Sequence, residues 1–352
     1  MKVIVVGSGV IGAAIAFQLS KAGADVTVVD AGTPAASDTS FGWINASFYA
    51  DTAHHHLRVA SIAAYDRLTN AVAGLPISKC GALWWEAQGT ELQQMQRSLE
   101  MLAYPVEHLT RAQVKDFDPD IKGLPDDVLH FTSESCADVA GLAHVLLQAS
   151  GARFVRGVAV RCVTTHGGVV TGVETTMGPI TADRVVIAAG NGAPDILSSV
   201  GVALPMLIRP GALVTTKPSR ARITSIMVTP HGEVRQLSDG RFLASAVANH
   251  QADDASTVTE AAGDIGERVM GWLNPIIAGD DLEWDQVALA YRPVPKDGLP
   301  VIGAVGPDGL HVAVMHSGAT LAAITGEAIA AQIMGQGDLA DLIAPYSPQR
   351  FQ

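Results

Sequence analysis

The sequence is poor in cysteine, in charged residues and in long apolar runs, and each shortage excludes a class of protein. Its three cysteines, Cys80, Cys136 and Cys162, form no CxxC pair and no metal-ligand spacing, so we expect buried free thiols in a reducing cytoplasm and no metal site. No run reaches the roughly 18 uninterrupted apolar residues that a membrane span needs. The 23 basic residues form no cluster among 35 acidic ones, which argues against a nucleic-acid partner.

The N-terminal residues have the pattern of a βαβ unit. A β-branched run, Val3–Val6, ends in Gly7-Ser8-Gly9-Val10-Ile11-Gly12, and small and apolar residues of helical character follow. A second strand, Val26–Val29, leads directly into Asp30. Strand, tight turn, helix and strand in about thirty residues predict a dinucleotide-binding unit.

This glycine motif has the context that makes it specific. The first glycine permits the tight turn, the second lets the backbone approach a pyrophosphate, and the third lets the helix pack on the strand. Asp30 can accept hydrogen bonds from ribose hydroxyls, and its charge would repel a 2′-phosphate, which disfavours NADP. We expect the cofactor contacts in this part of the chain to be Gly7, Gly9, Val10, Ile11, Gly12, Asp30 and Ala31.

Two later apolar strands predict that the nucleotide-binding domain is assembled from three separated pieces. They are Arg184–Ala189, which stops at Gly190, and His311–Val314, which precedes a helix from about Leu321 to Met334. Continuous apolar runs are typical of parallel strands buried on both faces. Between these pieces lie alternating strands from Leu207 to Val247, with a hairpin turn at Asp239-Gly240. The predicted fold is therefore α/β, a Rossmann-like domain with a discontinuous, antiparallel-sheet α+β second domain. The predicted boundaries are 1–75, 136–203 and 290–352 for the nucleotide-binding domain, and 76–135 and 204–289 for the second.

Three segments of the chain resemble those of the D-amino-acid oxidase, glycine oxidase and sarcosine oxidase family of FAD-dependent oxidoreductases. They are Thr181–Gly190, then Arg292-Pro293 with Asp297–Gly303, and finally Met315–Leu321. The resemblance extends over the whole chain, with these motifs in the family's order. It implies FAD as the cofactor and an antiparallel second domain that binds substrate.

The same resemblance implies further contacts with FAD. The segment Thr39–Asn45 matches the one that runs beside the isoalloxazine, and Met315–Leu321 matches the loop whose N–H groups face the pyrimidine ring. Val160 falls where the family contacts adenine. The implied contacts are Thr39, Ser40, Gly42, Trp43, Val160, Ala189, Gly190, Gly303, His316, Ser317, Gly318, Ala319, Thr320 and Leu321.

For the substrate, the resemblance assigns Arg292 as a bidentate clamp on a carboxylate, a role that suits a planar guanidinium. His316 is a candidate near the flavin ring, and His250 is a candidate projecting into the cleft; structural roles for both histidines remain open. Arg235 lies on a strand where the family often has an active-site tyrosine. No tyrosine occurs between Tyr104 and Tyr291, which indicates a different substrate side chain.

The predicted activity is oxidation of the C–N bond of a small amino or imino acid, with O₂ or a quinone or dye as electron acceptor. The alternatives are the flavin subunit of a dye- or quinone-linked imino-acid or opine dehydrogenase, a non-catalytic FAD-binding subunit, and an NAD-dependent dehydrogenase. The resemblance leaves homo- and hetero-oligomers open. Since the family's covalent flavin link uses a cysteine in the C-terminal third, and Cys162 is the last one here, we expect non-covalent FAD. The triplet His54-His55-His56 is interpreted as a solvated helix start, because consecutive helical residues cannot surround one ion.

Overall fold

The computed structural model describes residues 1–246, 256–279 and 281–352. Its strands are β1 (Lys2–Val6), β2 (Asp25–Asp30), β3 (Trp43–Ile44), β4 (Ile77–Lys79), β5 (Ala82–Trp84), β6 (Glu107–Thr110), β7 (Asp127–Phe131), β8 (Ser135–Ala137), β9 (Arg153–Arg156), β10 (Val160–His166), β11 (Val169–Thr175), β12 (Gly178–Thr181), β13 (Arg184–Ile187), β14 (Met206–Thr216), β15 (Ile226–Thr229), β16 (Gly232–Gln236), β17 (Phe242–Ser245), β18 (Trp284–Pro295), β19 (Val301–Ala304) and β20 (Leu310–Val314). Its α-helices are α1 (Val10–Lys21), α2 (Thr52–Ala71), α3 (Thr90–Met101), α4 (Arg111–Phe117), α5 (Val139–Ser150), α6 (Ala193–Ser198), α7 (Ala262–Leu273), α8 (Gly318–Met334) and α9 (Ala340–Ile343).

The chain divides into two compact units, each built from separated stretches of sequence. The first unit contains Met1–Ile77, Ala137–Ile208 and Tyr291–Gln352. The second unit contains Ser78–Cys136 and Arg209–Ala290. Each unit has its own buried apolar cluster, so each has the core that a domain requires.

A six-stranded sheet forms the centre of the first unit, in the order β19-β20-β13-β1-β2-β9. The strands from β20 to β9 run parallel, and β19 pairs antiparallel with β20 at one edge. The N-terminal βαβ unit and both later apolar strands therefore form as predicted. This arrangement is the predicted Rossmann-like α/β class.

Both faces of this sheet are covered, which explains why its strands are continuous apolar runs. On β1, Val3 and Val5 pack into a cluster with α1, α2, α5 and α8. Ile4 and Val6 point the other way, into a cluster with α6 and the three-stranded sheet β10-β11-β12. The alternation is the period of two expected of a strand, here apolar on both sides.

The second unit is built on an eight-stranded sheet, in the order β18-β14-β17-β16-β15-β5-β7-β6. Neighbours pair antiparallel at β14–β17, β17–β16, β16–β15, β5–β7 and β7–β6. The β15–β5 pair is parallel, so the predicted antiparallel sheet contains one parallel junction. The turn at Asp239-Gly240 does join β16 to β17, with Gly240 in the left-handed region at φ +88°. No α-helix in the described ranges is long and apolar enough to cross a membrane.

Candidate functional site

The carboxyl ends of four parallel strands of the first unit bring the predicted cofactor residues to one edge of the sheet. Gly7 follows β1, Asp30 ends β2, Ala189 and Gly190 come after β13, and His316 comes after β20. In open α/β sheets, ligands bind outside the carboxyl ends of the strands. The edge is therefore a candidate dinucleotide site.

At the turn from β1 to α1, the backbone is packed too closely for any side chain at two of the motif's glycines. A Cβ on Gly12 would lie 2.0 Å from the carbonyl oxygen of Gly7. A Cβ on Gly7 would lie 2.4 Å from the carbonyl oxygen of Ala188, and Gly7 has φ +105°. The first and third glycines of the motif thus serve the tight turn and the helix–strand contact that the sequence pattern predicts.

The N-terminus of α1 is suited to an anion. Gly9 at the N-cap provides no side-chain cap, and the first turn contains no acidic residue, so the positive end of the helix dipole is not neutralised there. One orphan amide, that of Val10, donates to the Ser37 hydroxyl at 3.0 Å. Ser37 is a contact that the sequence reasoning missed.

Asp30 keeps acceptor capacity while it shapes the turn. Its Oδ2 accepts the Ser8 N–H at 2.8 Å, and its Oδ1 accepts the Gly32 N–H at 2.7 Å. Since each carboxylate oxygen has two lone-pair sites, one on each oxygen remains for a ribose hydroxyl. These acceptors are compatible with a ribose contact of Asp30, which stays a prediction.

A second helix N-terminus, that of α8, is joined to the segment beside β3. Ser317 at its N-cap makes no capping bond to the helix, and its first turn has no acidic residue. The Thr320 hydroxyl donates to the Trp43 carbonyl at 3.1 Å and accepts the Asn45 N–H at 3.3 Å. Two of the predicted flavin segments, Thr39–Asn45 and Met315–Leu321, are therefore held together by buried hydrogen bonds.

Arg58 on α2 provides the main buried positive charge at this place, and only 4% of its surface is exposed. Its Nε donates to the Asn45 carbonyl at 3.1 Å, its Nη1 donates to the Ser317 hydroxyl at 2.9 Å, and its Nη2 donates to the Asn45 side-chain oxygen. The pKa of His54, one helical turn away, is lowered to about 4 because burial and then the Arg58 charge disfavour protonation. A buried, positively charged arginine therefore lies near a histidine that is neutral at pH 7.

Arg292 lies on the part of β18 that belongs to the first unit, next to the end of β13. The Asn191 side-chain amide donates to the Tyr291 carbonyl at 2.9 Å. Pro293 lies 3.9 Å from where a Cβ on Gly190 would be. Arg292 is half-buried, and His316, also half-buried, has its Nδ1 3.5 Å from the Ser317 hydroxyl.

Not every predicted residue is brought to this edge. Gly303 pairs with Val312 in the interior of the sheet, because β19 runs antiparallel and reaches the carboxyl edge at Val301 instead. Val160 begins β10 in the three-stranded sheet, and the nearby amide of Val158 donates to the Asp30 carbonyl at 2.9 Å. Thr39, Ser40 and the exposed Ala31 lie in the chain after β2, where the Ser40 hydroxyl accepts the Gly42 N–H at 3.2 Å. His250 lies outside the described residues.

The interpretation of His54-His55-His56 as a solvated helix start is wrong for two of the three. The helix does begin here, at Thr52, but His54 and His55 are 5% and 1% exposed and only His56 is in solvent. The triplet is followed by Leu57 and Arg58, also buried, since this face of α2 packs on the first core. The role of Arg58 could not be predicted from its position in the sequence, because it depends on contacts with Asn45 and Ser317. In the described ranges, no group of three His, Cys, Asp or Glu side chains could hold a metal ion.

These residues fit FAD. Two helix N-termini without caps or acidic first turns can receive a pyrophosphate and a ring carbonyl, and Asp30 retains acceptors for a ribose. The candidates that would hold the cofactor are Gly9, Ile11, Asp30, Trp43, Ser317 and Thr320.

Comparisons with known proteins agree with this reading. The family model of the FAD-dependent oxidoreductases, DAO, matches residues 2–332. The chain is 26% identical to a D-amino acid dehydrogenase of Cereibacter sphaeroides, over 92% of this chain and 89% of that protein. Its fold is similar to that of glycine oxidase from Geobacillus kaustophilus, with a TM-score of 0.85, 23% identity, and coverage of 99% and 98% of the two chains. It is also similar to L-proline dehydrogenase from P. horikoshii, with a TM-score of 0.87, 20% identity, and coverage of 99% and 97%.

A match over nearly the whole chain defines the class of protein. The chain belongs to the DAO family of FAD-dependent oxidoreductases. It is an enzyme of that family, and FAD is its cofactor.

Proposed function

We propose that this enzyme oxidises the C–N bond of a small amino or imino acid, such as a glycine-like compound, an N-substituted glycine or a D-amino acid. The first unit would bind FAD, and the second unit would contribute the substrate-binding surface. The observation that carries the proposal is the position of Arg292, on a strand segment fixed to the end of β13 through Asn191 and Tyr291. A guanidinium there can form a bidentate pair with a substrate carboxylate.

In the proposed reaction, the protein mainly orients the substrate. FAD, when bound, supplies the hydride acceptor at its N5 atom. Arg292 would hold the carboxylate so that the hydrogen on the neighbouring carbon points to that acceptor, and positioning of this kind accounts for much of the rate. The amine would react in its neutral form, and the imine product would hydrolyse in water.

Arg58 would add an electrostatic contribution. Its buried charge lies against Ser317, in the loop assigned to the flavin pyrimidine ring. A fixed positive charge favours negative charge that develops in a group bound beside it, and does so more strongly where water is excluded. His316 is a second candidate for this role because it precedes Ser317 in the same loop.

The test is an anaerobic visible spectrum of the holoenzyme titrated with glycine, sarcosine, iminodiacetate, proline and D-alanine. We expect at least one of them to bleach the flavin band. In R292M, kcat/KM should fall by about 100-fold or more, since a charged hydrogen-bonded pair is worth roughly 3 kcal/mol. R97M is the matched control, because Arg97 is an exposed arginine on α3. A flavin that no compound bleaches, or an R292M variant as active as R97M, would contradict the proposal.

The electron acceptor defines a second candidate within the same chemistry, a dye- or quinone-linked dehydrogenase. The similarity to a D-amino acid dehydrogenase over 92% of this chain supports it. One sample of the reduced enzyme should be mixed with air-saturated buffer, and a second sample should be mixed under argon with a quinone or dye. Rapid reoxidation with peroxide release would identify an oxidase, and reoxidation by the dye alone would identify a dehydrogenase.

A further inference from the structure

Two of the three cysteines, far apart in sequence, are neighbours in the second unit. Cys80 directly follows β4, and Cys136 is the central residue of β8, the strand that pairs with β4. The Gly81 N–H donates to the Glu134 carbonyl at 3.0 Å, which fixes the two strands beside the thiols. Both cysteines are free, and their thiols are close enough for each to shift the pKa of the other.

A third side chain completes the cluster. Arg235 on β16 is 7% exposed, and its positive charge favours the thiolate form of both cysteines. The Ile226 N–H donates to the carbonyl of Gly81, the residue after Cys80, at 3.1 Å. Both cysteines are 9% exposed, so the pair is shielded from bulky reagents.

From this geometry we propose that Cys80 and Cys136 form a redox-active dithiol, which hydrogen peroxide oxidises to a reversible disulfide. Both cysteines lie between two backbone bonds that join these stretches, from the Asp138 N–H to the Pro76 carbonyl and from the Gly81 N–H to the Glu134 carbonyl. Stretches paired in this way bring Cα atoms into the range that a disulfide spans. The cross-link would join the two ends of the Ser78–Cys136 stretch of the second unit. Oxidation of the two thiols does not depend on the substrate proposed above.

Cys136 is the reacting thiol and Cys80 the resolving one. The pKa of Cys136 lies below its ordinary value, because the Cys80 S–H donates to the thiolate and the Arg235 charge stabilises it, although burial opposes both effects. The pKa of Cys80 is raised, since its proton is held in that hydrogen bond and its sulfur is buried. A nearby positive charge that favours the thiolate is typical of reactive cysteines.

Hydrogen peroxide would oxidise the two thiols in two steps. The Cys136 thiolate attacks one oxygen of hydrogen peroxide, so that an S–O bond forms, the O–O bond breaks, and hydroxide leaves to take up a proton as water. The Cys80 sulfur then attacks Cys136, so that the S–S bond forms, the S–O bond breaks, and a second water leaves with the Cys80 proton. Two thiols are oxidised, and one peroxide is reduced to two waters.

The experiment treats the FAD-loaded full-length protein with a small excess of hydrogen peroxide, removes the peroxide, denatures the protein and counts the remaining thiols by alkylation and intact mass. We expect the count to fall from three to one and to return to three with dithiothreitol. The matched control is C162S, whose count should fall from two to zero. Peptide mapping should show the Cys80–Cys136 cross-link. R235Q should slow the oxidation of the two thiols, and R235K, which keeps a positive charge, should slow it less.

The single variants test the roles of the two sulfurs. In C80S, Cys136 should be trapped by dimedone as a sulfenic acid, and in C136S, Cys80 should stay reduced. Three thiols remaining in the treated wild type, or a disulfide that includes Cys162, would overturn the proposal. So would faster oxidation of Cys80 in C136S than of Cys136 in C80S.

Discussion

The Arg58 guanidinium donates to the Ser317 hydroxyl at 2.9 Å, although the two residues are 259 positions apart. This bond joins α2 to the N-cap residue of α8, and the further bonds from Arg58 to Asn45 add the segment after β3. The buried arginine therefore holds three stretches of chain at the place assigned to the flavin ring.

Replacing Arg58 should loosen FAD binding. We expect R58M to raise the Kd for FAD by about 10- to 100-fold, because a lost hydrogen bond to a charged group is worth about 1.5–3 kcal/mol. Fluorescence titration of the apoprotein with FAD measures this Kd. Arg67 offers the control on the same helix, since its exposed ion pair with Glu327 should contribute less than about 1 kcal/mol. Equal FAD affinities in R58M and R67M would refute this role.

Adding one methyl group at Gly12 should disrupt the turn that follows β1. A Cβ there would lie 2.0 Å from the Gly7 carbonyl oxygen, so the helix must move away from the strand. We expect G12A to lose on the order of 1–3 kcal/mol of unfolding free energy and most of its FAD affinity. In G271A, by contrast, the new methyl group meets open space on α7, and stability should stay the same or rise by up to about 1 kcal/mol. Urea denaturation with and without FAD separates the two effects.

Stability should fall as the pH drops from about 6.5 to about 4. Burial lowers the pKa of both His54 and His311 from 6.5 to about 4. Above 6.5 each is neutral in the folded and the unfolded chain. Between 6.5 and 4 only the unfolded chain takes up the proton, and each histidine then removes at most about 3 kcal/mol of stability.

The substitution H311Q should reduce the loss of stability between pH 6.5 and 4 by the amount that His311 contributes. H56Q, which alters an exposed histidine in the same triplet as His54, should leave the pH profile unchanged. Urea midpoints measured from pH 7.5 to 4, with FAD in the same excess at each pH, provide the comparison. Parallel profiles for wild type and H311Q would show that His311 does not contribute.

FAD should come off without breaking a covalent bond. The last cysteine, Cys162, lies on β10, so the C-terminal third of the sequence has no cysteine that could form a covalent flavin link. After acid precipitation we expect the yellow colour in the supernatant. Colour retained in the washed pellet would show a covalent link.

Features that depend on residues close together in the sequence were predicted correctly, and features that depend on distant contacts were not. The βαβ unit, the later apolar strands and the β16–β17 turn were predictable because residues close in sequence determine them. Arg58, Ser37 and the Cys80–Cys136 pair were missed, since each depends on contacts with residues distant in the chain. The parallel β15–β5 junction was missed for the same reason, because periodicity indicates a strand but not its neighbour. The roles of Arg292 and His316 came from family resemblance and stay predictions.

The bond between Thr320 and the Trp43 carbonyl has a consequence for biosynthesis. A nascent chain on the ribosome can form the βαβ turn early, but the residues that meet Trp43 and Asn45 are translated nearly three hundred positions later. Contacts this distant in sequence form late in folding. A flavin held by both segments would therefore bind only after translation has passed α8.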